Sequence, residues 1–199
     1  GTLWDLQEGL FDTTGTISTF IAYLWRRAPN FFDVFAYAGS TTTPRTISHN
    51  LGVAPEMIWI KGRDAGGSQW YVYHADMGNQ AYGRLDETDR FYTSSDGVVA
   101  QTIWNATDPT ASVFSLGNAS HGNSNGQNFI AYLFASLDGI SKVGSYTGNG
   151  GTLNIDCGFS SGARFVLIKR SDSTGNWYLM DTERGIVAGN DPVILLDDN

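Results

Sequence analysis

A chain of 199 residues with 41% hydrophobic, 13% aromatic and only 16% charged residues carries enough apolar surface to bury a core and is long enough for one domain or two. A formal net charge of -8 opposes binding to a polyphosphate backbone, and no polybasic stretch offers itself to an anionic membrane; neither nucleic acid nor membrane insertion is expected. Cys157, the single cysteine, excludes both a disulfide framework within one chain and a cysteine-based zinc cluster.

Taken in chain order, period-two alternation of apolar and polar residues predicts strands at "FIAYLWR" (20–26), "FDVFAYAG" (32–39), "EMIWIKG" (56–62) and "QWYVYH" (69–74). It continues with "NFIAYLFAS" (128–136), "SKVGSYTG" (141–148), "TLNIDCGF" (152–159), "RFVLIKR" (164–170) and "NWYLMD" (176–181). Stretches such as "RDAGGSQ", "GNSNGQN", "GNGGT" and "DSTGN" separate them and place Gly or Asn where a hairpin needs positive φ. Residues 81–90 make at most a short helical turn, and helical spacing with caps is not found elsewhere. Short strands at this spacing imply an all-β fold of antiparallel β-sandwich, jelly-roll-like units.

The strands also repeat. Phe20–Gly39 and Phe129–Gly148, 109 positions apart, are identical at 8 of 20 positions. Downstream, "EMIWIKGRDAGGSQWYVYHADMG" (56–78) matches "RFVLIKRSDSTGNWYLMDTERG" (164–185) after one gap, through Ile-Lys, Trp-Tyr and a final Gly. A tandem repeat of about 108 residues follows. Residues 1–30 then close one unit or form a joining segment, 31–138 make a complete unit, and 139–199 open a further one. Two arrangements remain open. The chain is a window on a longer array, or its first and last partial units complete each other.

Motifs that resemble reaction centres have plainer readings. "GFSSG" around Ser160 has the form of a nucleophile elbow, but that motif needs a helix after the serine and a strand pattern follows here. His49, His74 and His121 show no metal-ligand spacing. His74 stands where the other copy has Asp181, as a hydrogen-bonding position would, and His49 lies in a turn. The acidic run Asp86, Glu87, Asp89 lacks the pattern of a calcium loop and reads as a solvated turn. Cys157 reads as a small buried residue beside Asp156, and the sequons at Asn105 and Asn118 are weak signals. No catalytic residue, metal site or cofactor is assigned. Trp70 and Trp177, equivalent in the two copies, suit the common core. The aromatics not shared between copies, Tyr82, Tyr92 and Trp104 beside Phe91, lie among Asn, Ser, Thr and Asp; Tyr82, Tyr92 and Trp104 are the candidate ligand-binding residues, suited to stacking on sugar rings.

The stretches "NFIAYLFASLDGISKVGSYTGNGGT" and "CGFSSGARFVLIKRSDSTGNWYLMDTERG" resemble the repeated β-domain of tail-fibre and other appendage proteins of marine phages and cyanophages. The similarity covers roughly residues 17–199 and departs at Ala163, where the family often has proline; Pro55 keeps it in the first unit. The resemblance implies a virion structural protein without catalytic residues. It implies a homo-oligomer, a trimer, that extends from the particle, joins other virion proteins and adheres to host-surface glycan. A head-decoration or spacer module without a receptor and a glycan depolymerase are the alternative readings. Residues 1–16 are expected to be the worn end of a preceding unit or a join to another virion protein.

Overall fold

The computed structural model describes residues 21–64, 68–96, 103–117, 120–186 and 191–198; the expectations for residues 1–16 and for the sequon at Asn118 lie outside them. Over the described residues the chain is all-β with antiparallel sheets, as the alternation predicted. Its strands are β1 (Phe32–Ala38), β2 (Arg45–Ser48), β3 (Met57–Gly62), β4 (Trp70–His74), β5 (Gly83–Arg84), β6 (Val113–Leu116), β7 (Asn128–Phe134), β8 (Phe165–Lys169), β9 (Trp177–Asp181) and β10 (Ile194–Leu195). They form a five-stranded sheet β1-β7-β3-β4-β5, a two-stranded ribbon β2-β6 and a three-stranded sheet β10-β9-β8.

Period two decides the layering, because successive side chains point to opposite faces. On one face of the five-stranded sheet Ile58, Ile60, Tyr71, Tyr73, Phe129, Ala131 and Leu133 join Ile47, Phe114 and Leu116 of the ribbon in a buried core. Each fully buried aliphatic there contributes about 1.5–3 kcal/mol. On the opposite face Trp59 and Val72 pack with Trp177, and Met57, Trp70, Tyr132, Phe134, Leu167 and Leu196 close around them. The five-stranded sheet is thus the middle of three layers, between the ribbon and the second sheet.

The two sheets contain the same hairpin. Met57 to Lys61 pair with His74 to Trp70, and Phe165 to Lys169 pair with Asp181 to Trp177 in the same register. Lys61 lies over the Trp70 ring at 5.6 Å and Lys169 over Trp177 at 5.7 Å. The Trp70 N–H donates to Asp86 Oδ1 at 3.1 Å and the Trp177 N–H to Asp197 Oδ1 at 3.3 Å. The sheets meet through equivalent faces, Trp59 and Trp70 against their counterparts Leu167 and Trp177.

Three expected strands do not form: residues 21–26, 141–148 and 152–159 are irregular. A strand exists only when its backbone groups find a neighbour, and these segments have none of the ladders that their counterparts β7, β1 and β2 make. For the same reason Cys157 is only half-buried, and Tyr178, equivalent to the buried Tyr71, is exposed. No helix among the described residues is long and apolar enough to cross a membrane.

Candidate functional site

Beyond β4 the chain turns at Gly78 and returns as the two-residue strand β5, whose Arg84 lies opposite Tyr71 and whose Gly83 lies opposite Val72. Glycine is required at position 83, because a Cβ there would meet the Phe91 ring at 2.9 Å. Just before β5, Tyr82 exchanges backbone hydrogen bonds with Tyr92, at 3.0 and 2.9 Å. Their rings therefore stack, with centroids 5.1 Å apart.

Of the three residues that the sequence suggested for ligand stacking, Tyr82 and Tyr92 come together and Trp104 does not. Trp104 is only 1% exposed. Its Nε1–H donates to the Ala81 carbonyl at 3.0 Å, and its ring meets Tyr73 edge-on at 5.5 Å. Tyr82 is 4% exposed, its ring covered by Tyr92 and, at 5.9 Å, by Tyr71. Both are core residues, since a ring with covered faces cannot stack on a sugar. The aromatic composition was read correctly, but burial was not visible in it. Tyr92 alone of the three stays half-exposed.

The residue that sequence reasoning missed is Arg84. Its guanidinium lies over Tyr92 at 5.1 Å and over Tyr82 at 5.8 Å, and Nη1 donates to Glu87 Oε2 at 2.6 Å. Its Nε is buried without a hydrogen-bond partner among the described residues. His121 flanks the group, its ring edge-on to Tyr71 at 4.8 Å. The Tyr92 hydroxyl donates to the Asp89 carboxylate, and this bond, with burial behind it, pushes the phenol up to about 12. Burial, and then the Arg84 charge, lower the pKa of His121. The cluster thus offers a cation, a half-exposed ring and a carboxylate, the groups that hold hydroxylated or anionic ligands. A signal for Arg84 existed: by ladder position its counterpart is Leu195, opposite Tyr178. Unequal loops before the two strands hide that equivalence in the sequence.

The acidic run is distributed among separate tasks: Asp86 holds the Trp70 N–H, Glu87 holds Arg84 and Asp89 holds Tyr92. His49 Nδ1 accepts from the Leu51 N–H at 3.3 Å while Nε2 faces the Thr110 carbonyl at 3.2 Å, so it does stabilise its turn. His74 Nδ1 accepts from the Asp76 N–H, and Asp181 Oδ1 accepts from the N–H groups of Glu183 and Arg184. The two side chains cap the same turn in the two copies. After Ser160 comes strand β8 and no helix. Among the described residues no three His, Cys, Asp or Glu side chains are grouped to hold a metal ion.

No curated protein and no solved structure matches the chain. Residues 4–196 match the family model described as a domain of unknown function, DUF7483. The match spans nearly the whole length, and the chain belongs to the DUF7483 family.

Proposed function

We propose that the chain is a structural and adhesive module of a phage virion appendage such as a tail fibre, and that it contacts host-surface glycan through Tyr92, Arg84 and Glu87. The reading involves no catalysis, cofactor or metal. The carrying observation is the contrast between the two copies. The Lys–Trp–Asp arrangement of the hairpin is built twice, as scaffold is, whereas the Arg84 cluster occurs in one copy and stands where the other has Leu195. A group outside the scaffold pattern, with its guanidinium over the half-exposed Tyr92 ring, is the better candidate for a ligand contact. The resemblance of residues 129–185 to phage appendage repeats supplies the setting. Attachment there works by multivalency, weak contacts per subunit multiplied in a homo-oligomer.

The test is glycan-array and host-cell binding by the purified protein, with its native mass measured alongside. Binding lost in Arg84→Leu and Tyr92→Ala, with the circular dichroism unchanged, is the expected result. Absence of binding in every oligomeric state would leave a spacer or decoration module, and release of reducing ends from host polysaccharide would make the protein a depolymerase.

A further inference from the structure

We propose that the second hairpin, made by β8 and β9, is the positioning element of the candidate site, and that Lys169 is the residue that fixes the site's loop, 86–92, from the far side. The inference rests on the glycan contact proposed for Tyr92, Arg84 and Glu87 and adds what holds those groups in place. Within the first unit the loop is tied at its ends. The Leu85 N–H donates to the Trp70 carbonyl at 3.0 Å, and Tyr92 is paired with Tyr82. Between these ends the loop backbone reaches across to the second hairpin. The Phe91 N–H donates to the Ser171 carbonyl at 3.2 Å, and the Thr88 carbonyl accepts from the Gly175 N–H at 2.9 Å. The same Thr88 carbonyl accepts from Lys169 Nζ at 2.9 Å. Lys169 Nζ also donates to the Gly175 carbonyl and lies 3.5 Å from the Glu87 carbonyl. One ammonium group thus joins the turn of the hairpin to the loop, through carbonyls of both.

Alternation separates the two duties of this stretch, because neighbouring side chains point to opposite sides. Leu85 and Phe91 pack with Trp177 in the apolar cluster between the sheets. Arg84 and Tyr92, the residue before the one and the residue after the other, carry the candidate site. The Trp177 Nε1–H donates to the Arg84 carbonyl at 2.7 Å, so the second hairpin holds the backbone of Arg84 while the guanidinium lies over Tyr92. The equivalent lysine serves its own unit: Lys61 donates to the Ser68 carbonyl and stands 3.9 Å from Asp86 Oδ2. Burial lowers the pKa of Lys169, the mark of an ammonium partly withdrawn from water into this joint. Charge-assisted hydrogen bonds are among the stronger ones a protein makes, and groups held in place beforehand lose less freedom when a ligand binds. The loop is therefore ordered before a ligand arrives, and residues of the second hairpin set that order.

The experiment compares Lys169→Met with Lys61→Met in the full chain, by amide hydrogen exchange read by NMR. Methionine keeps an apolar stem over the tryptophan and leaves no charge behind. In Lys169→Met the Phe91 and Gly175 amides should exchange about tenfold faster, as loss of a charge-assisted hydrogen bond implies, while those of β3 and β4 stay as they were. Lys61→Met should leave the Phe91 and Gly175 amides unchanged. Unaltered exchange in Lys169→Met, or equal acceleration in Lys61→Met, overturns the proposal. Toward a glycan that the unaltered protein binds, Lys169→Met should lose about threefold or more in affinity; faster exchange with undiminished affinity also overturns it. Where Lys169→Met does not fold, the unaltered chain decides: strong protection of the Phe91 and Gly175 amides supports the proposal, and exchange as fast as in a free peptide overturns it. Should the unaltered protein bind no glycan, the adhesive reading fails, and the exchange rates still decide whether the hairpin holds the loop.

Discussion

Asp33 shows how a buried carboxylate is accounted for by local geometry. It is buried, accepts from Arg27 Nε at 2.7 Å and the Val34 N–H at 3.0 Å through Oδ1, and from the Asn50 N–H at 2.9 Å through Oδ2. Asp33→Ala strands these donors and should cost about 1–3 kcal/mol in urea unfolding. Trp104→Ala should cost about 3–5 kcal/mol. Tyr92→Ala should cost far less, because Tyr92 borders the core and does not fill it. Burial lowers the pKa of His49 and of His74, and each uses Nδ1 as an acceptor, which only the neutral ring allows. The unfolded chain therefore binds protons more readily, so this stability is present above the ordinary histidine value of about 6.5 and is lost as pH falls through the lower folded values. The urea midpoint should fall between pH 7.5 and 5, and His49→Asn should flatten the slope.

At the scale of elements, legibility followed length. Strands of five to seven residues with clean alternation, such as β3, β4, β7 and β9, were readable because both faces of each impose a pattern. Strands β5 and β10, of two residues each, and the four-residue β2 and β6 are too short for a period to declare itself, and turns elsewhere place them. The repeated hairpin makes a prediction of its own. Asp86→Ala and Asp197→Ala each remove the acceptor for a tryptophan N–H at the same rung, so each should lower stability by about 1 kcal/mol. Matched losses in chemical denaturation would mark the two as one device used twice, and a loss in only one copy would count against that equivalence.

For the whole molecule, the same side chain has different weight in its two copies. Leu133 is fully buried between the five-stranded sheet and its ribbon, so Leu133→Ala should cost about 2–5 kcal/mol. Leu24→Ala, at the matching position, should stay within about 0.5 kcal/mol. The difference comes from cover, since β2, β3 and β6 close the core around Leu133, whereas Leu24 stays exposed. Of the candidate site, Tyr92 was legible as an unshared aromatic. Arg84 was not, because its setting depends on the Tyr82–Tyr92 pairing, which brings residues from the two sides of a turn together.

The sequence by itself determined the fold class, the alternation that assigns each strand its two faces, and the internal likeness of the two hairpins, because these depend on spacing along the chain. Only the tertiary structure decided which like segments pair, which aromatics are enclosed, and that the hairpins pack by equivalent faces. Pairing and burial depend on what lies opposite, and a strand pattern remains an irregular segment until another backbone meets its edge.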